Sequence, residues 1–372
     1  MRIGIVVNTF WNIYNFRRGL IKHFQKQGHT VVAIAPYDGY EKELQHLACQ
    51  TFHLNMQQKG NNPLQDLKLL KEMYQIYKQA RLDVALHFTI KPNIYGAIVC
   101  KLIGIPCINN VSGLGTVFIR KNFTSFIAHL LYKIAFRFPA VVFFQNQDDK
   151  KVFLEKKLIN PAKTDLLPGS GINLSDFTPS AVFERNQEFT FLMIARLIYD
   201  KGIVEYAEAG KILKKMGLRV RLQVLGKIEK EANLGISEQI LSQWEQERII
   251  EYLGTTHDVR PFIYQADCVV LPSYREGTPR TLLEAAALAK PLIATDVPGC
   301  REVVKHEYNG FLCRARDSAS LAETMKRMAE LDDETLKKLG ENSRKLVEES
   351  FDEKIVISKY EQAIQKVVGN LK

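Results

Sequence analysis

The chain has 372 residues, of which 46% are hydrophobic and 25% are charged, and its formal net charge is +10. This length suits two domains that each bury a sizeable core, and the composition excludes an intrinsically disordered chain. The sequence contains no apolar stretch of about 18 residues or more, so no membrane-spanning helix is predicted. Residues Met1–Val7 begin a strand at once and lack the features of a signal peptide.

The excess positive charge lies in the first half of the chain. Residues 1–175 contain 22 Lys and Arg against 10 Asp and Glu, whereas residues 176–372 contain 29 against 31. Such an imbalance indicates an anionic ligand or surface on one side of the protein. Nucleic acid is one candidate partner, and an anionic membrane face or a lipid diphosphate is the other.

Several missing motifs narrow the function further. The six cysteines form no C-x-x-C pair and several lie in apolar runs, which predicts reduced core residues of a cytosolic protein. No Asp-x-Asp occurs and the eight histidines show no ligand spacing, so no metal site is predicted. The sequence also lacks the P-loop of ATPases and the G-x-S-x-G elbow of hydrolases.

Apolar runs of strand length alternate with helical segments through the first half. Strands are expected at Ile3–Val7, Thr30–Pro36, Gln50–Leu54, Val84–Phe88, Pro106–Val111 and Ala140–Gln145, and helices at Phe16–Gln27, Leu64–Ala80 and Ile94–Leu102. Continuous apolar strands in this alternation predict a parallel sheet covered by helices on both faces. The polar segments Asn8–Asn15, Thr89–Pro92 and Asn109–Gly115 follow strands and are expected to line one crevice.

The segment 118–138 combines cations with apolar residues at helical spacing. Arg120, Lys121, Lys133 and Arg137 are interleaved with aromatic and aliphatic side chains. A basic amphipathic helix can lie in a membrane interface, with its cations near anionic headgroups. The alternative is an ordinary core-facing helix whose charges are solvated. Because the whole first half is basic, the pattern favours a peripheral membrane contact.

A polar segment from Gly169 to Glu188 separates the two halves and predicts domains at 1–175 and 176–351. The alternation then restarts, which predicts a second doubly wound domain. Strands are expected at Phe189–Ala195, Val220–Leu225, Ile249–Leu253, Cys268–Pro272 and Pro291–Thr295, and helices at Gly202–Met216, Ser237–Gln246, Val259–Tyr264, Thr281–Leu288 and Leu321–Ala329.

The stretch 271–304 is the most informative of the second half. A buried strand leads through a polar turn into a helix near Arg280, and ligands of parallel sheets sit at such corners. Gly277 allows close backbone approach, and Thr278 and Thr281 offer hydroxyls beside the free N–H groups of the new helix. The stretch therefore predicts an anion site, most simply for phosphate.

Two glutamates flank this corner. Glu276 lies in the turn and Glu284 in the second turn of the helix. A carboxylate is repelled by phosphate, so each is expected to bind something else, and sugar or ribose hydroxyls are its natural partners. The spacing alone would equally suit two solvated surface residues. Their place in a strand–loop–helix unit favours the hydroxyl-binding interpretation.

Two cations follow the first strand of this half. Arg196 stands where the strand ends, and Lys201 stands just before the next helix. If both face the corner at Gly277–Thr281, they would neutralise a diphosphate group, although solvated loop cations are an equal alternative. Gly226 with Lys227 ends a third strand and could also approach phosphate.

These residues together resemble a known family. Arg196 and Lys201, the Glu276-x7-Glu284 pair and the Val297–Val303 stretch (VPGCREV) resemble the retaining family-4 glycosyltransferases of the GT-B fold. The stretches Phe88–Gly96 and Ile108–Phe118 resemble a bacterial subgroup that extends oligosaccharides on polyprenyl diphosphate. The N-acetylgalactosaminyltransferases that act on lipid-linked bacillosamine are close to it in pattern.

The resemblance implies an α/β fold of two doubly wound Rossmann-like domains that face a central crevice, with a final helix at 352–368 crossing back onto the first domain. It also implies that Arg196 and Lys201 hold a donor diphosphate, that Glu284 accepts ribose hydroxyls and that Glu276 contacts the transferred sugar. The cradle for the phosphates would be Gly277, Thr278, Pro279, Arg280 and Thr281, with Gly226 nearby. On the acceptor side the candidates are Lys91, His87 and Gly115.

The implied reaction moves a hexose or N-acetylhexosamine from a UDP-sugar to a lipid-linked saccharide, with retention at the anomeric carbon and without a metal or other cofactor. The enzyme would work peripherally at the cytoplasmic face of the inner membrane. One alternative keeps the fold but uses a soluble or lipopolysaccharide-core acceptor. Two others are an inactive donor-binding scaffold and a nucleic-acid-binding protein, and the last would leave Glu276 and Glu284 unexplained beside a phosphate site.

Overall fold

The computed structural model describes residues 1–57, 62–114, 123–180, 185–229 and 234–369, with the backbone alone for 123–126. Gly115, one of the acceptor candidates, and the first part of the segment 118–138 lie outside these ranges. The chain forms two compact units, one made of Met1–Gly171 with Glu353–Lys372 and the other of Ile172–Asp352.

The first unit is a seven-stranded parallel sheet in the order β3-β2-β1-β4-β5-β6-β7. Its strands are β1 (Arg2–Val6), β2 (Thr30–Ala35), β3 (Gln50–His53), β4 (Val84–Phe88), β5 (Cys107–Val111), β6 (Val141–Phe144) and β7 (Thr164–Leu166). Its helices are α1 (Phe10–Lys26), α2 (Glu41–His46), α3 (Pro63–Gln79), α4 (Ala97–Ile103), α5 (Phe123–Ala135) and α6 (Gln147–Glu155), with a π-helical turn at Pro92–Gly96.

The second unit is a six-stranded parallel sheet in the order β10-β9-β8-β11-β12-β13. Its strands are β8 (Phe189–Ile194), β9 (Val220–Leu225), β10 (Glu251–Tyr252), β11 (Cys268–Leu271), β12 (Leu292–Thr295) and β13 (Gly310–Cys313). Its helices are α7 (Ile203–Lys215), α8 (Glu238–Gln246), α9 (Arg260–Gln265), α10 (Arg280–Ala287), α11 (Cys300–Val303), α12 (Ser318–Ala329) and α13 (Asp333–Ser350).

Both sheets are covered on both faces, which is why their central strands are mostly apolar. Along β1, Ile5 packs into the core on one face and Val6 into the core on the other. Along β8, Leu192 and Met193 do the same in the second unit. Neighbouring side chains of a strand point to opposite faces, so a sheet covered twice needs a continuous apolar run. The doubly wound α/β architecture predicted from the sequence is therefore confirmed.

The last helix, α14 (Glu353–Gly369), belongs to the first unit. Val356, Tyr360 and Ile364 pack into the core that also contains Phe10 and Phe24 of α1. The hydroxyl of Tyr360 accepts a hydrogen bond of 2.8 Å from the Asn110 side chain at the end of β5. The chain therefore leaves the first unit, builds the second and returns.

The division between the units comes slightly before the boundary expected at 175. Ile172 and Phe177 are buried in a core of the second unit with Leu192 and Leu282. The backbone N–H of Ile172 also donates to the carbonyl of Phe351 at 2.9 Å. Burial of these side chains, and not the polar composition of the segment, fixes the boundary between Gly171 and Ile172.

One expected loop is a helix. The sequence predicts a polar loop at Asn8–Asn15, but α1 begins at Phe10, because the Thr9 hydroxyl caps it by accepting from the N–H of Asn12 at 3.1 Å. Phe10 and Ile13 are fully buried, so this stretch packs inwards. Short elements that the pattern did not indicate are α2, α6, α11, β7 and β13, together with the long helix α13.

Three general expectations can be compared with the described residues. All six cysteines are buried and unbridged, as their places in apolar runs predicted. Within the described parts of the chain, none of the helices combines the length and the hydropathy that a bilayer crossing needs. The same residues contain no group of three or more His, Cys, Asp or Glu side chains arranged to hold a metal ion.

Candidate functional site

The second sheet has one topological switch point, between β8 and β11. From β8 the chain continues to β9 and β10 on one side, and it later returns through β11 to β12 and β13 on the other. In open α/β sheets the loops after two such strands diverge and leave a crevice at their carboxyl ends, where ligands bind. Arg196 and Lys201 follow β8, and Glu276 follows β11. The topology thus brings the two predicted groups of residues to one edge.

The turn after β11 leads into the N-terminus of α10. Strand β11 ends at Leu271 and α10 begins at Arg280. The residue that precedes the helix is Pro279, which has no side-chain hydrogen bond to the first turn. The first N–H groups of α10 are therefore not capped by that residue's side chain, and they carry the positive end of the helix dipole. Gly277 and Pro279 are buried within this turn, with Thr278 and Thr281 partly exposed.

The loop after β8 is fixed to the loop after β11. The carbonyl of Asp200 accepts two hydrogen bonds, from the Ser273 hydroxyl at 3.0 Å and from the Tyr274 N–H at 2.9 Å. Gly202 has φ +76°, and a Cβ at this position would overlap the carbonyl of Pro272. Only glycine allows this approach of two backbones. Lys201, which lies between Asp200 and Gly202, is thereby held beside the corner.

Lys201 and Glu276 form an ion pair through Nζ and Oε1. The Lys201 side chain is 24% exposed and that of Glu276 is 12% exposed. A carboxylate and an ammonium group taken this far from water need each other, because an unpaired buried charge is costly. The pair shows that two predicted site residues, 75 positions apart in the sequence, reach the same point.

The backbone of Glu276 is held by the loop after β12. Its N–H donates to the carbonyl of Pro298 at 3.0 Å. Gly299 has φ +86°, and a Cβ there would lie 2.5 Å from the carbonyl oxygen of Glu276. The N–H of Gly299 donates to the carboxylate of Glu302 at 2.6 Å, which fixes the start of α11. The Val297–Val303 stretch therefore positions the Glu276 carboxylate.

Glu284 lies one turn into α10 and is nearly buried. Its Oε1 is 3.0 Å from Nε of Arg280, four residues earlier on the same helix. Burial raises the pKa of the Glu284 carboxyl above its ordinary value, and the Arg280 guanidinium partly opposes that rise. Arg280, a predicted contributor to the phosphate cradle, has its side chain on Glu284. Its expected part in the phosphate cradle is therefore assigned to its backbone N–H.

The Arg196 side chain does not share the partner of Lys201. Its side chain is 60% exposed, and its guanidinium pairs at 3.6 Å with Glu229, which follows β9. The next residue, Leu197, is fully buried, and its N–H donates to the carbonyl of Lys227. Exposed and buried side chains therefore still alternate at this point, as they do along a strand. The Arg196 side chain therefore lies on Glu229 in this structure, and its expected contact with a donor diphosphate stays a prediction.

Backbone packing explains why residue 226 is a glycine. Its φ is +155°, and a Cβ there would overlap the carbonyl oxygen of Ala195 at the end of β8. Its N–H donates to the carbonyl of Gly254 at 2.8 Å. Gly226 thus lets the loops after β8, β9 and β10 approach one another. Its expected approach to phosphate stays a prediction.

His87 is part of the core of the first unit. It is fully buried, its Nδ1 lies 2.9 Å from Oδ1 of Asn109 and its Nε2 lies 3.0 Å from the hydroxyl of Tyr77. Since the amide oxygen can only accept, Nδ1 carries the proton and Nε2 accepts from the tyrosine. Both ring nitrogens are satisfied internally. The expected acceptor contact through His87 is therefore wrong.

Lys91 is more accessible than His87 in the first unit. Its Nζ forms an ion pair of 3.0 Å with Asp66 at the start of α3. Both residues line an open cavity of about 560 Å³ near the carboxyl ends of β2 and β3. A ligand phosphate could reach Lys91 there by displacing the carboxylate. Gly115, the third acceptor candidate, lies outside the described residues.

Sequence reasoning missed the residues that hold the corner together. The Tyr274 hydroxyl donates to Glu205 of α7 at 2.6 Å, and the guanidinium of Arg316 lies 4.4 Å from the centre of the Tyr274 ring. Burial and the neighbouring Glu205 carboxylate raise the pKa of Tyr274, so its hydroxyl stays protonated as the donor. A glycine immediately before a helical pattern, as at Gly202 and Gly299, was the signal available in the sequence.

Family models match both halves of the chain. Residues 176–346 match the model described as "Glycosyl transferases group 1", and residues 2–146 match the one described as "Glycosyl transferase 4-like". The first match contains all of the corner and the second contains Lys91 and His87. The two models together account for most of both units.

Named relatives are similar over long stretches. The chain is 27% identical, over its whole length and that of the relative, to the N,N'-diacetylbacillosaminyl-diphospho-undecaprenol alpha-1,3-N-acetylgalactosaminyltransferase of Campylobacter jejuni. It is 25% identical to the UDP-Gal:alpha-D-GlcNAc-diphosphoundecaprenol alpha-1,3-galactosyltransferase of Escherichia coli, over 77% of this chain and 76% of that one. Both relatives are named for transfer to a saccharide on diphosphoundecaprenol.

A solved structure shares the fold. Anabaena HepE, crystallised with UDP-glucose, superposes with a TM-score of 0.81 over 98% of this chain and 100% of its own, at 18% identity. At that identity the likeness concerns the fold alone. It supports the assignment of both units to the GT-B architecture that the sequence resembled.

Proposed function

The chain is a glycosyltransferase of the GT-B fold, with a glycosyl transferase 4-like domain followed by a group 1 glycosyl transferase domain, and from this premise we propose the reaction that it catalyses. The enzyme transfers a hexose or N-acetylhexosamine from a UDP-sugar to a saccharide on polyprenyl diphosphate, in the assembly of a surface glycan. The observation that carries the proposal is the Lys201–Glu276 pair at the switch point, beside the N-terminus of α10.

The donor occupies the corner between β11 and α10. Its diphosphate accepts hydrogen bonds from the backbone N–H groups of Gly277, Thr278, Arg280 and Thr281 and an ionic contact from Lys201. Diphosphate competes with Glu276 for the Lys201 ammonium, and the carboxylate so released accepts hydroxyls of the donor sugar. Glu284 accepts the ribose hydroxyls, with Arg280 keeping it oriented and ionised.

Arg196 joins the diphosphate by a side-chain rotation. Its ion pair with Glu229 spans 3.6 Å and the Arg196 side chain is 60% exposed, so the pair contributes about 0–1 kcal/mol. Breaking it costs less than a charge-assisted hydrogen bond to phosphate returns, about 1.5–3 kcal/mol. A flexible cation that reaches the donor on binding reconciles its predicted role with the observed contact.

In the mechanism we propose, the nucleoside diphosphate departs and the acceptor attacks on the same face of the sugar. The leaving diphosphate takes the acceptor proton, and Lys201, Arg196 and the α10 dipole stabilise the negative charge that develops on it. Configuration at the anomeric carbon is then retained. The proposal needs no metal, because the charge is met by side chains and backbone N–H groups.

The acceptor and the place of action follow from the relatives and the first unit. Both named relatives use diphosphoundecaprenol-linked acceptors. We assign the same class here, with Lys91 exchanging Asp66 for the acceptor phosphate. The segment 118–138 makes a peripheral contact with the cytoplasmic face of the inner membrane.

The test is a transfer assay with a panel of radiolabelled UDP-sugars. Each donor is incubated with purified enzyme and with either polyprenyl-diphosphate-linked saccharides in detergent or the same saccharides free in solution. We expect one donor to label the lipid-linked acceptor, with a product of the same anomeric configuration as the donor by NMR. Equal labelling of free saccharides, or an inverted product, would overturn the acceptor class or the mechanism respectively.

A further inference from the structure

Helix α5 is apolar on two opposite faces. One face packs Tyr132 and Ala135 into the core of the first unit. The other exposes Ile127, Leu130 and Ile134, at 40%, 51% and 42% of their surface. These three follow the i, i+3, i+7 spacing and so form one stripe along the helix, called the α5 stripe below. A helix that buries one face does not need a second apolar face for folding.

A cationic cavity lies at the C-terminal end of this stripe. It has a volume of about 520 Å³ and lies between the ends of α5 and α6. Its cations are Lys133, Arg137, Lys157 and Lys163. All of its lining residues are described, and none of them is acidic. The cavity therefore concentrates positive charge in a concave site.

Contacts within the protein balance only part of the positive charge of the cavity. The Nζ of Lys163 donates to the carbonyl of Arg137 at 2.6 Å, which closes the end of α5. The two helix ends at the cavity each carry about half a negative charge, so together they balance roughly one of the four cations. Lys133, Arg137 and Lys157 form no ion pair with a carboxylate of the described ranges. Nearby Glu155 pairs with Lys151 instead.

The cavity is separate from the acceptor side of the unit. Helices of a parallel α/β sheet run opposite to its strands, so the C-terminal ends of α5 and α6 lie at the amino edge of the sheet. Lys163 accordingly stands directly before β7. Lys91 follows β4, at the carboxyl edge. A helix of 13 residues is about 20 Å long, so one diphosphate cannot occupy both places.

We propose that the cavity binds the phosphate headgroup of an anionic phospholipid while the α5 stripe lies in the membrane interface. Apolar surface and concave positive charge on one helix fit a lipid surface, which supplies acyl chains and phosphates together. Nucleic acid would satisfy the cations but leave the stripe in water. The proposal deepens the membrane contact of the proposed function and does not depend on which sugar is transferred.

The test is sedimentation of the full-length protein with vesicles that contain no acceptor lipid. Vesicles of phosphatidylcholine alone are compared with vesicles that also contain phosphatidylglycerol. The double variant R137Q/K157Q removes two cations of the cavity. Its matched control is K22Q/K26Q, which removes two exposed cations of α1 in the same unit. For the stripe, Leu130→Gln is compared with Leu67→Gln, an exposed leucine of α3.

We expect binding of the wild type to require phosphatidylglycerol. Each headgroup-facing cation contributes about fivefold, so R137Q/K157Q should bind about 25-fold more weakly, and K22Q/K26Q should lose about threefold at most. Leu130→Gln should weaken binding and Leu67→Gln should not. UDP binding by all variants should equal that of the wild type, which shows that they are folded.

Three outcomes would overturn the proposal. Equal losses in the two double variants would mean that net charge and not the cavity attracts the vesicle. Binding to vesicles of phosphatidylcholine alone would show that an anionic headgroup is not required. Binding to duplex DNA that R137Q/K157Q abolishes would assign the cavity to nucleic acid. None of these outcomes depends on sugar transfer, so failure here and failure of the proposed function are distinguishable.

Discussion

Lys201 and Glu276 contact each other at the edge where β8 and β11 end, although they come from opposite sides of the switch point. Each side chain neutralises the other while no donor is bound. A diphosphate that enters the corner meets a cation already held in place, and the carboxylate becomes available when the cation changes partner. The two residues therefore have separable roles.

Substitution of Lys201 should weaken donor binding. In Lys201→Ala the diphosphate loses a cation and Glu276 loses the ammonium group that pairs with it, so repulsion between carboxylate and phosphate increases. We expect UDP affinity and kcat/KM to fall at least about tenfold. Titration calorimetry with UDP and a transfer assay measure these effects. Lys215→Ala, an exposed lysine of α7, is the control, and unchanged affinity in Lys201→Ala would move the diphosphate elsewhere.

Substitution of Glu276 should lower the rate of sugar transfer without weakening nucleotide binding. Glu276→Gln removes a negative charge beside the diphosphate but keeps the shape of the side chain. UDP itself lacks the sugar, so its affinity should be unchanged or tighter, whereas kcat/KM for transfer should fall at least about tenfold. A parallel loss of UDP affinity would show that Glu276 acts on the nucleotide and not on the sugar.

Deprotonation of Glu284 should lower the stability of the protein and raise its affinity for UDP as the pH increases. Its pKa is raised above the ordinary 4.5, so between 4.5 and the folded value the native state holds a proton that the unfolded state has released. Stability conferred by this group therefore falls as pH rises through that window and is constant above it. Affinity for UDP should rise over the same window, because the ionised carboxylate accepts the ribose hydroxyls better.

The variant Glu284→Gln tests both statements. Its unfolding midpoint, followed against pH, should lack the decline of the wild type, and its UDP affinity should lack the rise. The measurements are thermal unfolding and calorimetry from pH 4.5 upward. Parallel profiles for variant and wild type would show that Glu284 does not titrate with folding or with the donor.

Gly299 should matter to activity through Glu276. An added Cβ would press on the Glu276 carbonyl, and the φ of +86° disfavours any other residue. Gly299→Ala should therefore lose about 1–3 kcal/mol of stability and displace the carboxylate. Gly217→Ala is a matched control, since Gly217 has φ +76° in the same unit and no atom within 4 Å. We expect both variants to be destabilised and only Gly299→Ala to lose transfer activity beyond the folded fraction.

His87 should be a structural residue. Truncation in His87→Ala leaves the Tyr77 hydroxyl and the Asn109 amide oxygen buried without partners, which costs about 1–3 kcal/mol for each. The unfolding midpoint should fall while UDP affinity stays as in the wild type. His46→Ala, on the exposed side of α2, is the control. A stable His87→Ala with a raised acceptor KM would restore the acceptor role that its position in the sequence suggested.

The sequence alone determined the local structure around the site. Apolar runs followed by polar turns and helical spacing depend only on neighbouring residues, so β11, the turn with Gly277 and the start of α10 were predicted within a residue or two. The parallel architecture followed in the same way, because strands buried on both faces must be apolar throughout. Glu276, Glu284 and Lys201 could be selected as candidates from these local patterns and from the resemblance.

Tertiary structure decided which of the candidates meet. The sheet order made β8 and β11 neighbours and so joined Lys201 to Glu276, while Glu229 on the next loop took Arg196. Packing also buried His87 between Tyr77 and Asn109, and the burial of Ile172 moved the boundary between the units. Strand order and side-chain partners depend on contacts between residues far apart in the chain, and a local pattern carries no information about which distant segment will supply them.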